Sequence, residues 1–245
     1  MKTVLITGAN RSIGFETARQ LAAQGYFIYL GSRSLESGQE ALEKLKAEGL
    51  TNVEPLQIDI ADEASIRTAR EELGKKTDSL DVLINNAGIS GPMPQSTTTT
   101  DTAAIRQVFD TNFFGTINVT QTFLDLLRKS NEPRIVNVTS GLGSLEMQTD
   151  PASKFYHVKS AAYGPSKTAL NAYTVVLAYE LRDTPFKINV VDPGYTATDF
   201  NQHSGPGTVE DAGKIIAKYA AIGADGPTGQ FFSNDADGEG DEMPW

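Results

Sequence analysis

The sequence predicts a doubly wound α/β fold: a three-layer sandwich around a seven-stranded parallel sheet. Three observations carry this. Short apolar runs alternate with helical patterns along the 245 residues. Most of those runs are continuous rather than alternating, as in strands covered on both faces. The first run ends in a Gly-rich turn, TGANRSIG at 7–14, that opens a helix. Strict alternation favours parallel strands joined by right-handed crossovers, a Rossmann-like arrangement.

The strands are expected at VLIT (4–7), YFIYL (26–30), VEPLQI (53–58), DVLIN (81–85), RIVNVT (134–139), KINVV (187–191) and QFF (230–232). Between them lie the covering helices. The first, about 13–24, sets Ile13, Ala18, Leu21 and Ala22 on one face and stops at Gly25. Leu35, Leu42 and Leu45 mark a second, stopping at Gly49. Asp62 caps a third, with Ile66, Ala69 and Leu73 inward. Longer helices follow near 102–130, 160–182 and 208–221. With no linker and no internal repeat, residues 1–245 read as one domain, closed by a flexible acidic tail at 234–245. Trp245, the only indole, is the one residue of that tail suited to pack back on the domain.

Composition narrows the chemistry. With no cysteine and only His157 and His203, disulfides, thiolate nucleophiles and Cys-containing zinc sites are excluded, and no metal site is expected. A net charge of −10 disfavours nucleic acid as a partner. No apolar stretch approaches the ~18–20 residues that span a bilayer, and MKTVLITG lacks a secretory cleavage site, so a soluble, cytoplasmic protein is expected. Any nucleotide must be held by local basic groups, since distant carboxylates are screened beyond about 8–10 Å.

Tyr163 and Lys167, in YGPSK, stand four residues apart, one turn on a helix. A nearby ammonium favours phenolate and lowers a tyrosine pKa from its reference of about 10. In TGANRSIG, Gly8 permits the tight turn and Gly14 lets the helix approach the sheet. The N–H groups around Asn10, Arg11, Ser12 and Ile13 then face a pyrophosphate. Glycine normally occupies the middle position. Ser12 takes some of that room, and its hydroxyl is left to donate to a phosphate or cap the helix. A plain βα loop is the alternative reading of this turn.

After the second strand, enzymes selective for NAD place an acid on the ribose 2′-OH. Here the chain reads Gly31-Ser32-Arg33-Ser34, with no carboxylate before Glu36. Arg33 and Arg11 suit a 2′-phosphate, so NADP(H) is expected over NAD(H), unless both arginines are merely solvated. Asp59, beside Ile60, either accepts from an adenine amino group or initiates a turn. Asn86, Ala87 and Gly88 close the fourth strand, where small residues let backbone approach a ligand. Asn112 falls inside a helix, so it either faces solvent or bonds across a widened turn. Ser140 follows the fifth strand at the same sheet edge.

The ordered set TGANRSIG, Asp59, NNAG at 85–88, Asn112, Ser140, YGPSK and PGYTATD at 193–199 resembles the short-chain dehydrogenase/reductase family over essentially the whole chain. LGSR at 30–33, TNFFGT at 111–116 and GPTGQFF with the closing Pro-Trp are most similar to NADPH-dependent carbonyl reductases. The resemblance implies hydride transfer between NADP(H) and an aldehyde, ketone or quinone, with Tyr163 as proton donor and Lys167 bonding the nicotinamide ribose. It further implies that Ser140 polarises the carbonyl, that Asn112 holds a water linked to Lys167, and that Pro193, Gly194, Thr196 and Thr198 line the nicotinamide end.

Two departures stand out. Ser12 replaces the middle glycine, and the interval from Ser140 to Tyr163 is 23 residues, about twice the family's usual spacing. The extra residues, near 145–160, bring Met147, Phe155, Tyr156 and His157 to the edge of the substrate pocket. Monomer and homo-oligomer both remain open. The rival reading is a non-catalytic NADP(H) sensor, which would have little use for Tyr163, Lys167 and Ser140 together. A hydrolase lacks its Gly-x-Ser-x-Gly elbow, and Phe15 stands where a P-loop needs lysine. The loop after Pro193, short and polar, suggests an open pocket and broad carbonyl tolerance.

Overall fold

The computed structural model describes residues 1–236 and 241–245. The sheet comprises β1 (Thr3–Ile6), β2 (Phe27–Ser32), β3 (Val53–Gln57), β4 (Val82–Asn85), β5 (Arg134–Val138), β6 (Lys187–Asp192) and β7 (Phe231–Ser233). All pair in parallel, in the order β3-β2-β1-β4-β5-β6-β7. The helices are α1 (Ser12–Ala23), α2 (Leu35–Ala47), α3 (Glu63–Gly74), α4 (Thr102–Phe109), α5 (Thr116–Leu127), α6 (Leu145–Thr149), α7 (Tyr163–Glu180) and α8 (Val209–Ala220). The expected three-layer sandwich is the observed one, and every expected strand is present within a residue or two of its place.

Strand side chains alternate between two cores. Val4, Ile6, Ile28, Leu30, Val82 and Ile84 join the cluster under α1, α2 and α8. Leu5, Tyr29, Leu83, Ile135 and Ile188 join the other, with Ile66, Phe123 and Leu177 of α3, α5 and α7. Gly25 and Gly49 end α1 and α2 with φ of +88° and +86°, as the sequence suggests. Asp62 accepts from the Ala64 N–H at 2.8 Å and caps α3. The long helix expected over 102–130 is broken by a π-turn at Asp110–Gly115, which separates α4 from α5.

The closing segment departs from the solvated tail expected at 234–245. Met243 is buried against Val190 and Phe231. Its N–H donates to the Phe231 carbonyl at 2.9 Å, and the Ser233 N–H donates to the Asp241 carbonyl at 2.7 Å. Trp245 packs on Phe231 with ring centroids 5.6 Å apart, and its carbonyl accepts from the Glu146 N–H. Apolar burial and backbone pairing along β7 outweigh the acidic composition. The part of the expected tail at 237–240 lies outside the described residues.

Candidate active site

The strand order reverses between β1 and β4, and the crevice at their carboxyl ends is where open sheets bind ligands. The two strand ends are sewn together. Thr7 Oγ1 accepts from the N–H groups of Asn86 and Ala87 at 3.0 and 3.1 Å, while Asn86 Nδ2 donates to the carbonyls of Thr7 and Gly8 at 2.9 and 3.1 Å. A Cβ on Gly14 would stand 2.4 Å from the Gly8 oxygen and 2.5 Å from Asn86 Nδ2, so only glycine lets α1 start this close. Asn10 and Ile13 lie on the same turn, both half-buried.

Ser12 adopts φ +51°, left-handed backbone that a side chain disfavours. The substitution therefore costs backbone conformation rather than only the room expected for its Cβ. No side chain caps α1, whose N-cap residue is Arg11, so its first N–H groups remain for a ligand. This cradle fits a dinucleotide pyrophosphate.

At the adenosine end, Arg33 follows β2 and is exposed, and among the described residues its guanidinium has no partner. Arg11 instead reaches Asp199, 3.0 Å away, in an exposed pair. Such a pair is worth about 0–1 kcal/mol, little enough for a phosphate to displace the carboxylate. Asp59 makes the turn: its Oδ1 accepts from the Ala61 N–H at 3.0 Å, leaving Oδ2 for a ligand. Ile60 is buried beside it and packs in the α3–α5 core.

Asn112 occupies the π-turn and is buried, so the widened-turn alternative is the observed one. Its Oδ1 accepts from the Ile89 N–H at 2.8 Å, and its Nδ2 donates to the Ile89 carbonyl at 2.9 Å and Ser166 Oγ at 3.1 Å. Both amide hydrogens are committed, and one Oδ1 lone pair remains. A Cβ on Gly88 would lie 3.2 Å from Asn112 Oδ1 and 3.7 Å from Lys167 Nζ, so this glycine separates the two polar groups.

Lys167 is buried, with Nζ donating to the Val138 carbonyl at 2.9 Å and standing 5.7 Å from the Tyr163 ring centroid. The Ser140 hydroxyl, which accepts from the Leu142 N–H at 3.2 Å, stands close enough to the Tyr163 phenol to act on its protonation. A buried polar chain ties α7 to the sheet beneath them. Asn85 Nδ2 donates to Asn137 Oδ1 at 2.8 Å, Asn137 Nδ2 to Thr174 Oγ1 at 2.8 Å, and Thr139 Oγ1 to Asn171 Oδ1 at 2.6 Å.

The electrostatics correct one expectation. Tyr163 is pushed well above the ordinary tyrosine range, chiefly by burial, then by the negative charge of Asp192; the Ser140 hydrogen bond only partly opposes this. Lys167 itself is lowered to about 8 by burial, although Asp192 pulls the other way. The i,i+4 spacing suggests an ammonium acting directly on the phenol, but the long side chain spends itself on the Val138 carbonyl. A phenol kept neutral is the protonation state a proton donor needs.

Pro193, Gly194 and Thr196 border a cleft of about 570 Å³ shared with Asp211 and Lys214 of α8, whose walls include none of Tyr163, Lys167 and Ser140. Thr196 Oγ1 donates to the carbonyls of Pro193 and Gly194. Thr198 caps the single turn Asp199–Asn201. The Thr196 hydroxyl and the Thr198 backbone thus shape the loop from within.

Sequence reasoning missed three residues around the phenol. Gln95 Oε1 accepts from the N–H groups of Ala162 and Tyr163 at 2.9 and 3.2 Å and so caps α7 from a distant loop. Phe200 packs its ring 5.4 Å from that of Tyr163, so the loop expected to be polar presents an apolar face here. Asp192, the last residue of β6, is buried. A buried acid in a strand was its only signal. The expected insertion does reach the site: a Cβ on Gly141 would strike the Phe155 ring at 2.3 Å, and Met147 is buried beside Val190 and Met243. His157 is exposed and meets Tyr156 edge-on, with ring centroids 4.9 Å apart.

Residues 2–208 match the family model for short chain dehydrogenases. The chain belongs to that family. Its expected fold and resemblance therefore stand, and it is an oxidoreductase of a family that uses NAD(P)(H). A short-chain dehydrogenase of Penicillium roqueforti is 37% identical over 227 residues, covering 90% of this chain and 89% of its own. A (+)-neomenthol dehydrogenase of Capsicum annuum is 32% identical, covering 93% and 94%. The structure of an NADPH-bound carbonyl reductase from chicken fatty liver aligns with a TM-score of 0.84 at 26% identity, covering 100% and 99%. Among the described residues no helix is long and apolar enough to cross a membrane, and no group of His, Cys, Asp or Glu could hold a metal ion.

Proposed function

We propose that the protein is an NADPH-dependent carbonyl reductase acting on aldehydes, ketones or quinones. The observation that carries this reading is the convergence of Ser140, Tyr163 and Lys167 at the sheet edge that also holds the Gly8–Gly14 cradle. Arg33, without a partner among the described residues, supports NADP(H) over NAD(H), as does the NADPH bound to the chicken reductase. The groups present fit a nicotinamide dinucleotide, with the first turn of α1 toward the pyrophosphate, Arg33 toward a 2′-phosphate and Asp59 Oδ2 toward the adenine.

When bound, the reduced nicotinamide supplies the hydride. Ser140 and Tyr163 then share the carbonyl oxygen, two donors aimed at the atom on which negative charge develops, an arrangement worth several kcal/mol, or roughly 100-fold or more in rate. Tyr163 gives its proton to that oxygen, and the Lys167 ammonium offsets the phenolate left behind. Asn112 holds the Ile89 backbone in place beside Lys167. Phe155 and Phe200 supply apolar walls against which a carbonyl compound sheds water.

The test is to follow coenzyme absorbance with a panel of aldehydes, ketones and quinones, using NADPH and NADH side by side. Turnover with several carbonyls and a clear preference for NADPH is expected. Absence of oxidation with every carbonyl tried would overturn the assignment, and one strongly preferred substrate would remove broad tolerance.

A further inference from the structure

We propose that Asp192 is a positioning residue for this reduction: its buried carboxylate clamps the Ser140–Gly141 turn to the Pro193–Gly194 loop and supplies the negative charge that holds Lys167 as an ammonium. This rests on the roles given to Tyr163 and Lys167 above.

The geometry comes first. Asp192 ends β6 and is 3% exposed. Its Oδ2 accepts from the Ser233 hydroxyl at 2.6 Å and its Oδ1 from the Gly194 N–H at 3.0 Å, and the Gly141 backbone N–H faces the carboxylate. One side chain thereby ties the loop after β6 to the end of β7 and lies against the residue next to Ser140. Among the described residues no lysine or arginine forms an ion pair with it. A buried carboxylate without a cation is costly, and bonds from neutral donors recover only part of that cost.

The nearby cation is placed by the sheet. Lys167 donates to the Val138 carbonyl, and Val138 is in register with Val191, the residue before Asp192. The ammonium and the carboxylate thus occupy the ends of neighbouring strands, each otherwise bonded only to neutral groups. The charged and titratable groups facing Asp192 are Tyr163 and Lys167 from α7 and Asp235 from the turn after β7. Asp235 is itself engaged by the Tyr195 N–H at 3.0 Å and by Lys154 at 3.7 Å.

Burial raises the Asp192 carboxyl to about 6, with the like charge of Asp235 adding to the rise and the Ser233, Gly194 and Gly141 hydrogen bonds opposing it. Burial lowers Lys167 to about 8, against the pull of Asp192. The attraction is legible on the ammonium, whereas on the carboxyl desolvation dominates. Between these two values the carboxylate is ionised and the lysine charged, the state that meets a phenolate forming at Tyr163. Above the lysine value the counter-charge for that phenolate is lost.

The decisive measurement is the titration of Lys167 itself, by NMR of the protein labelled at lysine Cε, with the resonance assigned by its absence from Lys167→Met. Asp192→Asn keeps the shape and the capacity to bond Ser233 and Gly194 but removes the charge. It should lower the Lys167 midpoint by about one pH unit or more, and the alkaline limb of the kcat/KM profile should move with it. Ser233→Ala keeps the charge and removes one bond, and should leave that midpoint in place. An unmoved midpoint in Asp192→Asn, or an equal displacement in Ser233→Ala, would overturn the proposal. The unaltered protein gives a check independent of either variant: the Lys167 resonance should carry a smaller inflection near pH 6, as Asp192 takes up its proton, and a flat trace there would also overturn it. Because the titration needs no turnover, a protein that reduced no carbonyl but showed the Lys167 displacement would refute the functional reading, and with it the role in reduction, while supporting the Asp192–Lys167 coupling.

Discussion

At the scale of residues, the arginines show how one type can be read correctly for charge and incompletely for contact. Arg11 and Arg33 both flank the cradle, as their positions in the sequence suggest, yet a phosphate must first displace Asp199 from Arg11, whereas among the described residues the Arg33 guanidinium has no partner to displace. Coenzyme preference should therefore rest mainly on Arg33. Replacing Arg33 with Asp removes charge-assisted bonds to a 2′-phosphate and adds repulsion, which should reduce the NADPH-to-NADH ratio of kcat/KM by about 100-fold, or ~3 kcal/mol. A ratio within threefold of the parent would assign selectivity elsewhere. Ser12 was legible as a position, but its positive φ was not. For Asp59 and Asn112 the sequence left two alternatives each: the local contact to the Ala61 N–H shows the turn at Asp59, and the widened turn at Asn112 is held by Ile89 and Ser166, partners distant in sequence that local propensity does not encode.

At the scale of elements, α7 carries the chemistry but its start is held from outside. Ala162 offers no side-chain cap, and Gln95 accepts from two of the first N–H groups instead. Gln95→Ala leaves those donors unpaired in a largely buried setting, at a cost of about 1–3 kcal/mol, and frees Tyr163 to shift. The expected result is a kcat roughly tenfold lower with coenzyme affinity unchanged. Equal losses in coenzyme binding and kcat would instead indicate general unfolding of the site. Sequence periodicity revealed α7, because its apolar spacing and YGPSK are local signals. It could not reveal the cap, since Gln95 lies 68 residues before Tyr163 and has no local pattern. The same limit applies to α4 and α5, whose composition reads as one helix and whose π-turn is stabilised by Asn112 reaching Ile89.

At the scale of the whole molecule, continuous apolar strands and short βα turns made the parallel sheet and its order of elements legible, because most strands are buried on both faces. At the end of the chain Trp245 packs back as expected, while the burial of Met243 went unread because composition weighs the acids around it. Met243→Ala should cost about 2–4 kcal/mol and lower Tm by on the order of 10 °C, seen in thermal unfolding. A change below 1 °C would return that segment to the solvated reading. The central claim is that the fold brings a neutral phenol, a polarising hydroxyl and a buried ammonium to the edge where a dinucleotide binds. The most direct measurement is on Tyr163→Phe: NADPH affinity by calorimetry beside turnover with a carbonyl that the parent reduces. Affinity within a few-fold of the parent, with kcat reduced by at least ~100-fold, is the predicted result. Substantial retained turnover would show that another group delivers the proton and would contradict the account.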